Sequence, residues 1–139
     1  MKTKMCLTKT KIGVFILLAA LSFQACNTED EPSESEEIVG KWQKYQVLDD
    51  NGNFSEGDLD EFWIFNADGS FQNEDGGSIT ATGYYSVEGS QLMIYSHSTD
   101  ETDEEENFAG NYVIDNNYMT YSFTDLRDGE KSTIRFKKM

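Results

Sequence analysis

The sequence predicts an all-β domain over residues 38–139: an antiparallel, eight-stranded up-and-down barrel with little or no helix. Two observations support this fold class. From Ile38 onward, short runs rich in Val, Ile, Tyr, Phe, Trp and Thr alternate with clusters of Gly, Asn and Asp, and no stretch of ten or more residues has a helical period. The runs follow one another through short turns, and eight antiparallel strands connected in this way close most simply as a barrel.

Each predicted strand is one such run, bounded by turn residues. Gly69, Gly89 and Gly129 supply residues that tolerate positive φ in three of the turns, and Asn116-Asn117 is typical of a two-residue type I′ turn. We place the eight strands near residues 38–48, 61–66, 70–74, 79–87, 91–97, 107–115, 118–124 and 131–137.

Apolar and polar residues alternate along most of the runs, which is typical of strands with one buried face. An eight-stranded barrel has an interior that side chains can just fill or that holds one small ligand, so a packed core and a ligand cavity are both open at this point. The alternation assigns the following residues to the inner face: Trp63, Phe65, Phe71, Leu92, Ile94, Tyr112, Ile114, Met119, Tyr121, Phe123, Ile134 and Phe136.

The first 25 residues have the pattern of a secretory signal peptide. Residues 1–11 contain four lysines and no acidic residue, and residues 12–23 are apolar apart from Gly13 and Ser22. An apolar helix of this length is about 18 Å long, whereas the hydrocarbon core of a bilayer is about 30 Å thick. The segment is therefore too short to span a membrane comfortably, and cleavage after export is favoured over a retained membrane helix.

The apolar run ends at Ala25-Cys26, and acidic residues follow at once. A small residue before such a cysteine resembles the lipobox of bacterial lipoproteins, in the looser form typical of Bacteroidota. The resemblance implies that Cys26 carries a diacylglycerol and becomes the first residue of the mature chain. It also implies a lipid anchor in the outer membrane, with the protein exposed at the cell surface. The alternative is an ordinary signal peptide cut after Ala25, which leaves a free thiol.

Residues 26–37 predict a flexible acidic tether between this anchor and the barrel. They contain Pro32 and many acidic residues, and such a segment cannot bury enough apolar area to fold by itself. The formal net charge of the whole chain is −15, and it becomes more negative when the four lysines of the signal peptide are removed. A surface this negative repels nucleic acid, so we expect no nucleic-acid partner.

Short motifs along residues 38–137 resemble the bacterial lipocalin-like lipoproteins. Gly40-Lys41-Trp42 is similar to the Gly-x-Trp opening of lipocalins. The aromatic strand, Asp-Gly turn and Gly-aromatic strand over residues 65–85 recur in that family in the same order. The resemblance implies a barrel whose open end takes up a small apolar or amphipathic molecule, with Gly40 and Trp42 in structural roles. It also implies that Arg135 packs over Trp42, a cation–π contact, although a plain surface charge is an equal alternative.

The aromatic residues of the predicted strands are the candidate ligand contacts. If the barrel has an open end, we expect its lining to include Trp63, Phe65, Tyr85, Ile94, Tyr112 and Tyr121. If the barrel is filled instead, we expect a monomeric protein-interaction module that uses its acidic loops or an exposed aromatic patch.

Little in the sequence indicates catalysis, a metal or a cofactor. His97 is the only histidine, and the predicted mature domain has no free thiol, so we expect no enzyme and no cofactor. Residues 49–53 begin like a calcium-binding EF-hand loop, but Phe54 stands where that loop needs glycine. Residues 100–106 are densely acidic and are either a solvated loop or a weak calcium site. We name no metal ligands.

Replacing Cys26 by alanine tests the predicted anchor. We expect the unsubstituted chain to enter the detergent phase with membranes and the Cys26→Ala chain to remain in the aqueous phase, because stable anchoring needs two or more acyl chains. The measurement is phase partitioning in a cloud-point detergent. Cys6→Ala is the matched control, since Cys6 lies in the segment that is removed. A Cys26→Ala chain that still partitions with membranes contradicts lipidation at this position.

Overall fold

Strands account for most of the described chain, which covers residues 37–49, 51–100 and 104–139 of a computed structural model. The predicted signal peptide, Cys26 and residues 27–36 of the predicted tether lie outside the described residues. Within the described ranges only residues 37 and 38 are helical. The strands are β1 (Gly40–Leu48), β2 (Phe54–Glu56), β3 (Glu61–Phe65), β4 (Ser70–Asp75), β5 (Ser78–Glu88), β6 (Gln91–Ser98), β7 (Glu105–Asp115), β8 (Tyr118–Asp125) and β9 (Lys131–Lys138).

The sheet closes into a barrel through pairing of β1 with β9. From β3 to β9 every strand pairs antiparallel with its neighbour in sequence, and the first part of β1 pairs with β3. Val47 opposite Ile134 and Trp42 opposite Lys138 mark the two ends of the β1–β9 seam. Eight strands, β1 and β3–β9, therefore form the barrel, and this confirms the predicted fold class.

The ninth strand, β2, was not predicted from the sequence. It is only three residues long and pairs with the second part of β1, on the same side where the first part of β1 pairs with β3. Its residues, Phe54-Ser55-Glu56, lie in a mainly polar stretch without a period-two pattern. Pairing with the free edge of β1 is what makes this segment a strand.

The turns use the residues that the sequence indicated, with one difference. Gly69, Gly89 and Gly129 all have positive φ, at 85°, 57° and 80°. In the β7–β8 turn only Asn116 has positive φ, whereas a type I′ turn requires it of both central residues. The second residue, Asn117, accepts a hydrogen bond on its carbonyl from the Lys138 N–H at 2.8 Å, so strand β9 holds this side of the turn.

The inner face predicted by the alternation is the core of the barrel. Trp63 lies in the middle of this core, and its ring centroid is 4.9 Å from that of Phe136 and 5.5 Å from that of Phe71. Such tilted and edge-on aromatic contacts add to the free energy gained from burial alone. The buried apolar residues are Ile38, Trp42, Trp63, Phe65, Phe71, Ala81, Leu92, Ile94, Tyr112, Met119, Tyr121, Phe123, Ile134 and Phe136.

Trp42 and Ile38 close one end of the barrel. Both are fully buried, and the Trp42 indole Nε1–H donates a hydrogen bond to the Ile38 carbonyl at 2.7 Å. Gly40 has a φ of 141°, and the side chain of Lys138 crosses beside it, with Nζ 5.0 Å from the Trp42 ring centroid. The cation on the Trp42 ring is therefore Lys138.

Arg135 does not pack over Trp42. Ile134 and Phe136 face the core, so the residue between them faces outward, whereas Trp42 is inside the barrel. The Arg135 guanidinium lies 3.8 Å from the ring centroid of Phe54, and Nη1 is 3.5 Å from the Gln46 amide oxygen. Arg135 thus holds strand β2 against the outside of the barrel.

Two inward-facing glycines allow neighbouring strands to approach closely. A Cβ atom on Gly83 would lie 1.8 Å from the Tyr95 carbonyl oxygen, and one on Gly110 would lie 2.0 Å from the Ser122 carbonyl oxygen. Neither position leaves room for a side chain, and glycine within a strand is typical of such tight bends. The curvature of the barrel at β5–β6 and at β7–β8 depends on these two residues.

The substitution Gly83→Ala tests this close approach. The added methyl group meets backbone atoms, which cannot move without breaking the ladder, so we expect the free energy of unfolding to fall by about 3 kcal/mol. Urea denaturation followed by circular dichroism measures the change. Ser86→Ala, an exposed position on the same strand, is the control and should change the midpoint little. An unchanged midpoint for Gly83→Ala would contradict the described packing.

Candidate functional site

The barrel has a cavity at the end opposite Trp42. Its volume is about 310 Å³, close to the lower limit for small-molecule sites. The cavity lies where β3, β7 and β9 begin and where β4 and β8 end, and we call this end the mouth. Its floor is apolar and its rim is polar. The lining residues are Lys44, Glu61, Trp63, Phe71, Asn73, Glu106, Phe108, Phe123, Asp125, Glu130, Ser132 and Ile134.

Stacked aromatic rings form the floor of the mouth. The ring centroids of Trp63 and Phe108 are 5.8 Å apart and the rings are nearly parallel, at 20°. Phe123 meets the Phe108 ring edge-on, with centroids 5.0 Å apart. Trp63 is only 4% exposed, whereas Phe108 is half-buried. The floor of the mouth is therefore built of aromatic rings that pack on one another.

An ion pair on one side of the rim orients Trp63. The Glu61 carboxylate accepts a hydrogen bond from the Trp63 indole Nε1–H at 3.0 Å and is 2.6 Å from the ammonium group of Lys44. Both charged side chains are mostly buried, with about a fifth of each exposed. Since both oxygens of Glu61 have a donor, this carboxylate is already satisfied.

A second ion pair lies across the rim, where β8 ends. Asp125 is buried and accepts hydrogen bonds from the Arg127 guanidinium at 2.8 Å and from the Arg127 backbone N–H at 2.9 Å. The Arg127 side chain next to it lowers the pKa of the Asp125 carboxyl. Arg127 also lies 3.6 Å from Glu104. The Glu106 carboxylate also acts on it, so the charge of Arg127 is shared among three carboxylates, and together they raise the pKa of the guanidinium.

One hydrogen-bond acceptor of the mouth has no partner among the described residues. Asn73 lines the cavity, and its side-chain oxygen Oδ1 is buried without a hydrogen bond. Glu106 also lines the cavity; its carboxylate interacts electrostatically with Arg127, and its backbone carbonyl accepts a hydrogen bond from the Ser96 hydroxyl. Buried polar groups without partners are uncommon in folded proteins.

Of the six predicted lining residues, the structure places only Trp63 at the mouth. The other five lie deeper, in the core below the floor or toward the closed end: Phe65, Tyr85, Ile94, Tyr112 and Tyr121.

Contacts within the core account for these deeper positions. The Phe65 and Tyr85 rings meet edge-on with centroids 5.0 Å apart, and the Tyr85 hydroxyl donates to the Asn66 carbonyl. The Tyr121 hydroxyl donates to the Leu92 carbonyl at 2.9 Å, and burial raises the pKa of this tyrosine. These residues therefore fill the lower half of the barrel.

The predicted lining did not include the floor residues Phe71, Phe108 and Phe123. The sequence contained a signal for two of them, because Phe71 and Phe123 belong to the alternating inner face. A residue belongs to the floor or to the core according to its position along the barrel axis. This position depends on the register between each strand and the next. That register first becomes visible in the pairing of the strands, such as Trp63 opposite Asn73.

Other sequence candidates have ordinary structural roles. His97 is exposed on β6. The Asp49 carboxylate accepts hydrogen bonds from the backbone N–H groups of Asn51 and Asn53, so it stabilises a turn. Within residues 37–49, 51–100 and 104–139, no group of His, Cys, Asp and Glu side chains is placed to hold a metal ion. The same ranges contain no helix that is long and apolar enough to cross a membrane.

Comparison with known proteins identifies no family for this chain. No protein-family model matches it, and no curated protein and no solved structure is similar to it at a significant level.

The substitution Asp125→Asn tests the ion pair at the rim. Because the folded pKa of Asp125 is lowered, its stabilising effect is present above the ordinary carboxyl pKa of about 4 and is lost as the pH falls through the lower folded value. We expect a lower urea midpoint than the parent chain at pH 7 and a smaller difference at pH 3. The asparagine oxygen can still accept the Arg127 N–H, so the turn is kept. An equal difference at both pH values would contradict this role.

Proposed function

We propose that this protein is a lipid-anchored envelope protein whose barrel binds a small amphipathic molecule at its mouth. The observation that carries the proposal is the cavity of about 310 Å³ with an aromatic floor and a polar rim. Ligand sites in proteins combine such apolar walls with a few polar groups that orient the ligand. The proposed activity is binding rather than catalysis, by a monomer.

The depth of the cavity limits which molecules fit. Below the floor the barrel is filled by fully buried side chains, among them Phe65, Ile94 and Tyr121. A long apolar chain could not pass through this layer. The geometry therefore favours a compact molecule whose apolar part contacts Trp63 and Phe108 and whose polar part remains at the rim.

The proposed location follows from the N-terminal segment. The lipobox-like sequence ending at Cys26 supports export and lipidation, and the acidic tether supports a barrel held away from the bilayer surface. On this proposal the barrel is anchored to the outer membrane and exposed at the cell surface.

Native mass spectrometry of the chain isolated from bacterial membranes tests the binding proposal. We expect a reproducible added mass that is lost on unfolding, because a molecule held only by the mouth leaves when the barrel opens. Phe108→Ala should abolish the added mass, since it removes half of the stacked floor. Phe62→Ala is the matched control, because Phe62 lies on the outside of the barrel beneath Lys41.

Either of two results would contradict binding at the mouth. An added mass that survives Phe108→Ala would place the bound molecule elsewhere, and a chain that never carries an added mass would contradict the proposal. Covalent mass on the peptide that begins at Cys26 would be read in the same experiment and tests lipidation separately.

A second candidate function is protein interaction through the outer face of the barrel. Val113 and Tyr118 are 66% and 45% exposed, and the Tyr118 ring lies 5.9 Å from that of Tyr45. These residues border an open groove of about 540 Å³. Exposed apolar patches of this kind mark interaction sites in many proteins. A photoreactive residue at position 118 that captures no neighbour on intact cells would contradict this candidate.

A further inference from the structure

We infer that the outer face of strands β5–β8 binds a neutral polysaccharide chain. This site is separate from the mouth, so the inference goes beyond the proposed function and does not depend on it. It is carried by three features of the outer face: the absence of charged side chains, an exposed pair of tyrosines, and a groove lined by hydroxyl and amide groups.

The outer face of these four strands has no charged side chain away from the strand ends. Soluble protein surfaces contain about a quarter to a third of charged residues, and the formal net charge of this chain is −15. The acidic residues of β5–β8 all stand at strand ends. Asp, Glu, Lys and Arg are absent from Thr82 to Ser86, Gln91 to His97, Asn107 to Val113 and Tyr118 to Thr124. We call the outward-facing residues of these four ranges the neutral face.

The composition of the neutral face limits the kind of partner. Nucleic acids and anionic lipid surfaces are bound through Lys and Arg, which this face lacks. The centres of protein interfaces are rich in aromatic residues and poor in Ser and Ala, whereas most outward side chains here bear hydroxyl or amide groups. Such groups both donate and accept hydrogen bonds. A neutral molecule with many hydroxyl groups therefore matches this surface best.

An exposed pair of stacked tyrosines lies at one side of the neutral face. The ring centroids of Tyr84 and Tyr95 are 5.0 Å apart, and the rings are nearly parallel, at 23°. Tyr84 is 59% exposed even though it stacks on Tyr95. A pyranose ring has an apolar face of C–H groups, which packs on an aromatic ring of this kind. Because the stack already holds the Tyr84 ring in place, less entropy is lost when a ligand binds.

A groove of about 430 Å³ lies across β7–β9, on the other side of the neutral face. Its hydroxyl and amide groups belong to Asn111, Ser122, Thr124 and Thr133. The side-chain amide of Asn111 makes no hydrogen bond with any other described residue, so it is available to a ligand. The two charged residues of the groove, Asp49 and Lys131, have opposite signs. The groove as a whole is therefore close to neutral.

The tyrosine pair and the groove form one continuous path. Tyr95 pairs with Asn107 on β7, and Asn111 lines the groove four residues further along the same strand. Four residues of a strand span about 13 Å. Between these two asparagines the only outward side chain on β7 is that of Ala109, which is small. A chain of several sugar residues therefore reaches both the tyrosines and the groove, whereas a single sugar reaches only one of them.

Native electrophoresis through gels that contain a polysaccharide tests this inference. The net charge of −15 drives the migration of the chain, and a bound polysaccharide slows it. We would run the full chain in a polyoxyethylene detergent, which has no sugar headgroup, through plain gels and through gels with dextran, laminarin, galactomannan or arabinoxylan. We expect at least one of these neutral polysaccharides to retard the chain and anionic alginate to leave its migration unchanged. If none of the four retards it, the inference is wrong.

Two outward-facing aromatic residues provide a matched pair of variants. Tyr84 belongs to the neutral face, whereas Phe62 lies on the outside of β3 beneath Lys41. Calorimetry with a hexasaccharide of the retarding polymer measures the affinity. We expect Tyr84→Ala to weaken binding about tenfold and Phe62→Ala to leave it unchanged, with the urea midpoint of Tyr84→Ala close to that of the parent chain. Equal losses in both variants, or binding that survives Tyr84→Ala, would overturn the inference.

Asn111→Ala and added NaCl test the other two features. Asn111→Ala should lower the affinity for the hexasaccharide, and unchanged affinity would remove the groove from the site. NaCl should leave the affinity unchanged, because a neutral ligand makes no ionic contact. Binding that weakens steeply with NaCl would mean that charge and not the neutral face holds the ligand, and this would overturn the inference. Since Tyr84 and Asn111 lie outside the mouth, these results are independent of the proposed function.

Discussion

The pairing of β1 with β9 is the contact on which the rest of the structure depends, because it turns an open sheet into a barrel with an inside. β1 reaches three neighbours: β3 with its first part, β2 with its second part, and β9 along most of its length. A register shift between Lys44 and Gln46 lies within this seam. Such a bulge bends a strand and increases its twist, as closure requires.

The closed barrel has two halves that differ in how completely side chains fill them. The half near Trp42 is filled with fully buried side chains, and the half at the mouth keeps a cavity above stacked rings. Trp63 belongs to both halves, since its ring contacts Phe136 in the core and its indole N–H reaches Glu61 at the rim. A substitution at the rim that moves the Trp63 indole would therefore also change the packing of the core.

The ion pairs of the rim serve the fold. Lys44 with Glu61 and Arg127 with Asp125 are paired within hydrogen-bond distance, and their partners come from the barrel itself. The buried Asn73 oxygen is left without a hydrogen-bond partner among the described residues. A folded protein tolerates such an unsatisfied acceptor at a cost in stability, and functional sites are where that cost is most often found.

The fold class, the eight strands of the barrel and most of the core were determined by the sequence alone. A period of two and glycine-bearing turns are local properties, and Phe71, Phe123 and Ile134 could be assigned inward from them. Only the tertiary structure decided the height of each residue in the barrel, the strand β2 and the partners of Arg135 and Lys138. These depend on strand register and on the β1–β9 closure, which join residues about 90 positions apart, such as Gln46 and Arg135. The mouth combines residues from six strands, so its composition followed from closure and not from any single stretch of sequence.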